Sequence, residues 1–224
     1  MNFLVIEGID GSGKSTQVKL LMKALEKNHK PCKYLHFPRT DAPVFGDLIA
    51  RFLRGDFGSI DSVDPYLVSL LYAGDRQDAA PLIRSWMNEG NFVVLDRYVY
   101  SNIAFQCAKI EDAEKRQALR TWILNLEFDY YRIPKPDLSL FLDVPFAFTL
   151  NNLSSARKGN DRDYLAGRKD IHEDDLSFQK KVREMYLWQV KENKDFLRID
   201  CFDSKGDIKS PEEISDGILK IVIP

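Results

Sequence analysis

The sequence predicts an α/β fold of three layers, α/β/α, with about five parallel strands covered by helices on both faces. Three observations carry that prediction. Short apolar runs alternate with helical patterns along the chain, the order of a parallel sheet. The central runs Phe92-Val93-Val94-Leu95 and Leu138-Ser139-Leu140-Phe141-Leu142 are mostly apolar, as in strands covered on both sides. Finally, Gly8-Ile9-Asp10-Gly11-Ser12-Gly13-Lys14-Ser15 matches the phosphate-loop pattern G-x-x-x-x-G-K-[ST] at each fixed position, between a strand candidate and a helical pattern. Together they define a P-loop NTPase fold.

The elements follow in order. Strand 2–7 holds Phe3-Leu4-Val5-Ile6 and leads into the loop, from which helix 14–28 leaves through Gln17-Val18-Lys19-Leu20-Leu21. Strand 32–37 and helix 43–54 come next. Helix 64–88 has a clear start signal, since Asp64 is an N-cap residue and Pro65 suits the first helical position. Strand 91–95 runs into Asp96-Arg97-Tyr98, and helical patterns cover 98–109 and 111–131. Strand 137–143 precedes a helix at 146–156, and helix 174–194 precedes strand 196–200. Ser210-Pro211-Glu212-Glu213 opens helix 211–222 with Glu213 in capping-box position. Between two helical patterns, residues 154–173 are polar, charged and glycine-containing, which reads as a lid; a solvated loop without a role is the plainer alternative.

Composition narrows the function classes. The 224 residues suit one domain over 1–224, and 44% hydrophobic with 29% charged content is ordinary for a globular chain. A net charge of −2 offers no nucleic-acid footprint and no attraction to an anionic membrane, so neither is expected as a partner. No apolar run reaches membrane-spanning length, and the start lacks a signal-peptide pattern. Cys32, Cys107 and Cys201 are far apart without C-x-x-C spacing, which fits reduced thiols. These features lead to the expectation of a cytoplasmic protein.

The motifs define a site. Backbone amides of Gly8, Ile9, Asp10, Gly11, Ser12, Gly13, Lys14, Ser15 and Thr16 are expected to wrap a polyphosphate at a helix N-terminus. Lys14 can reach the β and γ phosphates, and the Ser15 hydroxyl can ligate Mg²⁺. Asp96 and Arg97 end a central strand, where ligands bind in such sheets. Asp96 can assist the metal, and Arg97 can fork onto a phosphate; a structural Asp–Arg cap is the competing reading. Tyr72 and Arg76 lie one helical turn apart, suited to stacking on a nucleobase and donating to its carbonyl, or simply to packing on each other. Phe37-Pro38-Arg39 adds another guanidinium at the end of the second strand. Arg39, Arg76 and Arg97 therefore suggest a second anionic ligand, a phosphoryl acceptor. Arg157, Arg162 and Arg168 in the lid segment are candidates to neutralise the transferring group.

These residues resemble the thymidylate kinase family over the whole chain. The resemblance is carried by the loop with Asp10, by Phe37-Pro38-Arg39 and by Leu70-Leu71-Tyr72-Ala73-Gly74-Asp75-Arg76. It continues in Asp96-Arg97-Tyr98-Val99-Tyr100-Ser101-Asn102-Ile103-Ala104-Phe105-Gln106, in Pro134-Lys135-Pro136-Asp137 and in Leu142-Asp143-Val144-Pro145. It implies transfer of the ATP γ-phosphoryl group to dTMP, giving dTDP and ADP, with Mg²⁺ and in a homodimer. By resemblance, Arg97 and Arg39 hold the dTMP phosphate, Tyr72 stacks on thymine and Arg76 bonds its O4. Asn102 and Gln106 approach the N3 side, Phe105 packs under the sugar, and Phe37 and Ser101 complete the acceptor set. Asp10 would meet the acceptor 3′-hydroxyl or the phosphate–metal network, and Arg157 and Arg162 would be the lid arginines. Two positions depart from the family pattern: Gly11 stands where some members carry arginine, and Asn152 where arginine is common. The lid is also extended around residues 165–169.

Overall fold

The computed structural model describes residues 1–154, 164–165, 167, 170–172 and 175–223. Its sheet has five strands: β1 (Phe3–Glu7), β2 (Cys32–His36), β3 (Phe92–Asp96), β4 (Leu138–Asp143) and β5 (Phe196–Asp200). All neighbours pair in parallel, in the order β2-β3-β1-β4-β5. Connections between parallel neighbours must cross a face of the sheet, and helices fill them. These are α1 (Lys14–Lys27), α2 (Phe45–Leu53), α3 (Pro65–Asn88), α4 (Val99–Cys107), α5 (Ala113–Leu124), α6 (Phe146–Ser154), α7 (Leu176–Glu192) and α8 (Pro211–Val222).

Alternation along β1 explains the three layers. Phe3 and Val5 join a core with Ile83, Leu95, Ile103, Leu119, Val182 and Phe196, under α3, α4, α5 and α7. Leu4 and Ile6 face the other way, onto Val18, Leu21 and Leu25 of α1 and Ile214 and Ile218 of α8. Each such side chain contributes about 1.5–3 kcal/mol on full burial, so both faces drive assembly. Start signals act as expected. The Asp64 carboxylate accepts from the Tyr66 amide at 2.8 Å, and Ser210 and Glu213 form a reciprocal capping box. Register then lines up the functional ends, pairing Ile6 with Asp96 and His36 with Asp96, so the carboxyl ends of β1, β2 and β3 open on one crevice.

One expected helix is broken. The pattern over 111–131 resolves into α5 and a π-helical turn, Asn125–Tyr130, in which the Tyr131 amide reaches back to the Leu126 carbonyl at 2.8 Å. Such turns carry an extra residue and often accompany function. Here the turn carries Glu127, whose carboxylate is fully buried.

Candidate active site

The phosphate loop spans the end of β1 and the start of α1. Gly11 and Gly13 adopt left-handed φ values of 76° and 83°, which side-chain-bearing residues rarely take. A Cβ on Gly8 would lie 2.6 Å from the Ser12 hydroxyl, so any other residue there would force the Ser12 side chain to move. Lys14 is buried and donates to the Ile9 carbonyl at 3.0 Å. Burial, aided by the nearby Arg97 charge, pulls its pKa down to about 8. An anion beside Lys14 would raise it again, because an opposite charge favours the protonated form.

Arg97 stands opposite, at the end of β3, and the fold constrains it tightly. Its φ of 68° is left-handed, a conformation that costs a non-glycine residue about 1–3 kcal/mol and is held only by its surroundings. The guanidinium donates to Asp10 at 2.6 Å, to Ser101 at 3.2 Å and to Tyr186 at 3.3 Å, and lies 5.0 Å from the Phe105 ring centre. Beneath it, the buried Glu7 carboxylate accepts from the Tyr98 amide at 3.0 Å, from the Ser101 amide and hydroxyl, and from Tyr186. Burial raises the Glu7 pKa, partly countered by these donors. Asp10 behaves oppositely: burial would raise it, but Arg97, Lys14 and a 2.9 Å bond from Gln179 hold it near about 2. Asp96 is also buried, and its Oδ1 has no hydrogen-bond partner.

A cleft of about 1210 Å³ joins the loop to the acceptor side. Ser15, Asp96 and Arg97 line one end, and Phe37, Arg39, Tyr72, Arg76, Ser101, Asn102, Phe105 and Gln106 line the rest. The sequence-predicted residues on the described segments thus come together. Their charges, however, are already met. Arg39 pairs with Asp75 at 2.8 Å and Asp78 at 2.6 Å, whereas Arg76 forks onto Glu127 through Nε and Nη2. The fold supplies a carboxylate for each of the three guanidiniums, Asp75 for Arg39, Glu127 for Arg76 and Asp10 for Arg97. The Asn102 amide group donates to Glu127 at 3.1 Å and to the Ser69 carbonyl at 3.2 Å. Asn102 Oδ1 and both amide atoms of Gln106, all buried, lack hydrogen-bond partners.

Arg157, Arg162 and Arg168 lie outside the described residues. Of the described residues in that stretch of sequence, Tyr164, Asp170 and His172 line the cleft. Arg54 donates to the Tyr164 carbonyl at 2.7 Å, and the Ile171 amide to the Leu53 carbonyl at 3.1 Å. His172 lies 5.0 Å from Phe105 and 5.5 Å from Phe178, and burial depresses its pKa to about 3, leaving it neutral. Asn152, at the position where arginine is common, donates instead to the Gly11 carbonyl at 2.8 Å.

Sequence reasoning missed Glu7, Asp75, Glu127, His172, Gln179 and Tyr186. Glu7 had a signal, a carboxylate closing an apolar strand just as Asp96 does. Glu127 had none, because its value depends on a residue 51 positions away.

The family model "Thymidylate kinase" matches residues 6–211. The thymidylate kinase of Plasmodium falciparum is 30% identical over 98% of this chain and 89% of that protein. That of Mycobacterium tuberculosis (H37Rv) is 33% identical over 82% of this chain and 83% of that protein. The solved structure of Candida albicans thymidylate kinase superposes with a TM-score of 0.72 at 26% identity, covering 98% of this chain and 89% of that one. The chain belongs to the thymidylate kinase family.

Proposed function

We propose that this cleft transfers the γ-phosphoryl group of ATP to the 5′-phosphate of dTMP, yielding dTDP and ADP. The observation that carries the reading is the 2.6 Å Arg97–Asp10 pair, which ties the acceptor-side cation to the phosphate loop itself. ATP would lie along Gly8–Thr16, with Lys14 on its β and γ phosphates. Arg97 and Arg39 would grip the acceptor phosphate, and Phe105 would pack under the sugar. Tyr72 would stack on the base, with the Arg76 donor on O4 and the Asn102 and Gln106 oxygens on the N3 side. Asp10, already fixed by Arg97 and Gln179, would orient the acceptor.

The attacking oxygen of the acceptor phosphate is ionised near neutral pH, so no general base is needed; positioning and charge neutralisation do the work. Asp96, whose buried Oδ1 is unpartnered, lines the same cleft as Ser15 and the loop, and its carboxylate chemistry fits a hydrated divalent cation. Bound Mg²⁺ would supply Lewis-acid neutralisation of the phosphate oxygens. Arg157 and Arg162 would close over the transferring group from the lid at 154–173, within a single kinase domain. The exposed Leu67 and Leu82 on α3, 59% and 43% accessible, support a homodimer through that helix. No helix among the described residues is long and apolar enough to cross a membrane.

A substrate panel tests the reading. With ATP and Mg²⁺, dTMP should outperform dUMP, dCMP, dGMP and AMP and yield dTDP. Free phosphate without dTDP would refute it.

A further inference from the structure

We infer that Glu127, which contacts no reacting atom, is the positioning residue that sets the donor–acceptor pattern with which this cleft reads a nucleobase edge. The inference rests on the proposed acceptor site and goes one layer behind it. Arg76 and Asn102 both face the cleft, and both meet the same buried carboxylate. Glu127 takes Nε and Nη2 of Arg76, a cleft-lining residue, and leaves Nη1 outside that fork. It also takes the Asn102 NH₂ group, as does the Ser69 carbonyl. Both neighbours of that amide end are acceptor-only oxygens, so chemistry fixes the amide orientation: the donor end is held by Glu127 and Ser69, and the buried Oδ1 is left without a partner.

The presented pattern is therefore a donor beside an acceptor. A pyrimidine with a 4-carbonyl and an N3–H matches it at both atoms. A 4-amino pyrimidine, with an N3 lone pair, opposes it at both, leaving buried groups unpaired, the condition that produces strong rejection. Glu127 also cannot be exchanged casually for its amide. A glutamine would offer one acceptor where Arg76 and Asn102 need several, and its own NH₂ would favour the reversed Asn102 orientation.

The test is Glu127→Gln, assayed with dUMP and dCMP, which differ at the edge atoms without the complication of the 5-methyl group. The kcat/KM ratio of dUMP to dCMP should fall roughly tenfold or more in E127Q, chiefly through KM, while the ATP KM stays within about threefold. Glu127→Asp, which keeps an acceptor-only carboxylate, should retain more of the ratio even if both KM values rise. If both nucleotides lose equally in E127Q, the residue is merely structural and the inference falls. A wild-type enzyme that does not favour dUMP over dCMP would instead sink the acceptor reading beneath it. A measurement on the unmodified protein guards against a poorly folding variant: the Asn102 side-chain NH₂ should remain protected from hydrogen exchange with and without dTMP. Loss of that protection on binding would show that the amide turns, which overturns the proposal.

Discussion

Replacing Arg97 by lysine tests the acceptor-side cradle most directly. The guanidinium has five N–H donors, and the structure commits three of them, to Asp10, Ser101 and Tyr186. One donor on Nε and one on Nη2 remain for the acceptor phosphate. Lysine keeps the charge but presents a single point donor, so one charge-assisted hydrogen bond of about 1.5–3 kcal/mol is lost. The left-handed backbone at φ 68° penalises both residues alike, so it cancels from the comparison. The expected outcome is a loss in kcat/KM for dTMP of about tenfold to about 150-fold in R97K. Arg97→Ala removes both bonds and the charge, and should cost more still. ATP binding, followed by calorimetry without acceptor, should persist in both variants because the main-chain loop holds it. A dTMP kcat/KM within threefold of wild type in R97K would refute the bidentate grip.

Other outcomes follow from the same structure. Lys14 has a pKa of about 8 in the free protein against an ordinary 10.5, so between those values the folded chain has shed a proton that the unfolded chain keeps. Stability should therefore gain from this group as pH rises through that window, and ATP binding should take up a proton there. Calorimetry in buffers of different ionisation enthalpy at pH 9 reads the uptake, and observed heats that are the same in every buffer would count against it. Asp64→Ala removes the cap on α3 and should cost about 1 kcal/mol, a melting shift of about 2–4 °C, with turnover largely intact.

Legibility differed by type of feature. The loop, the strand-end Asp96-Arg97 and the cap at Asp64 were readable because each is local: the geometry that needs those residue types is built by neighbours within a few positions. Helix ends fell within two residues of expectation for most elements, since caps and apolar periodicity are local as well. The break in the helix expected over 111–131 was not readable, because a single π-helical turn adds only one residue to an otherwise helical pattern. Nor did the charge state of the cleft follow from its residues. Three arginines were visible, but the partners Asp10, Asp75 and Glu127 acquire meaning only when the sheet and helices bring them within hydrogen-bond reach.

The amino-acid order alone determined the fold class and the nucleotide loop, because backbone conformation and two-faced burial are written in short-range patterns. Only the tertiary structure decided how the acceptor side is tuned. Glu7 under Arg97, and Glu127 behind Arg76 and Asn102, act through contacts spanning 25 to 179 positions. Electrostatic preorganisation depends on distance in space, and sequence separation carries no record of it.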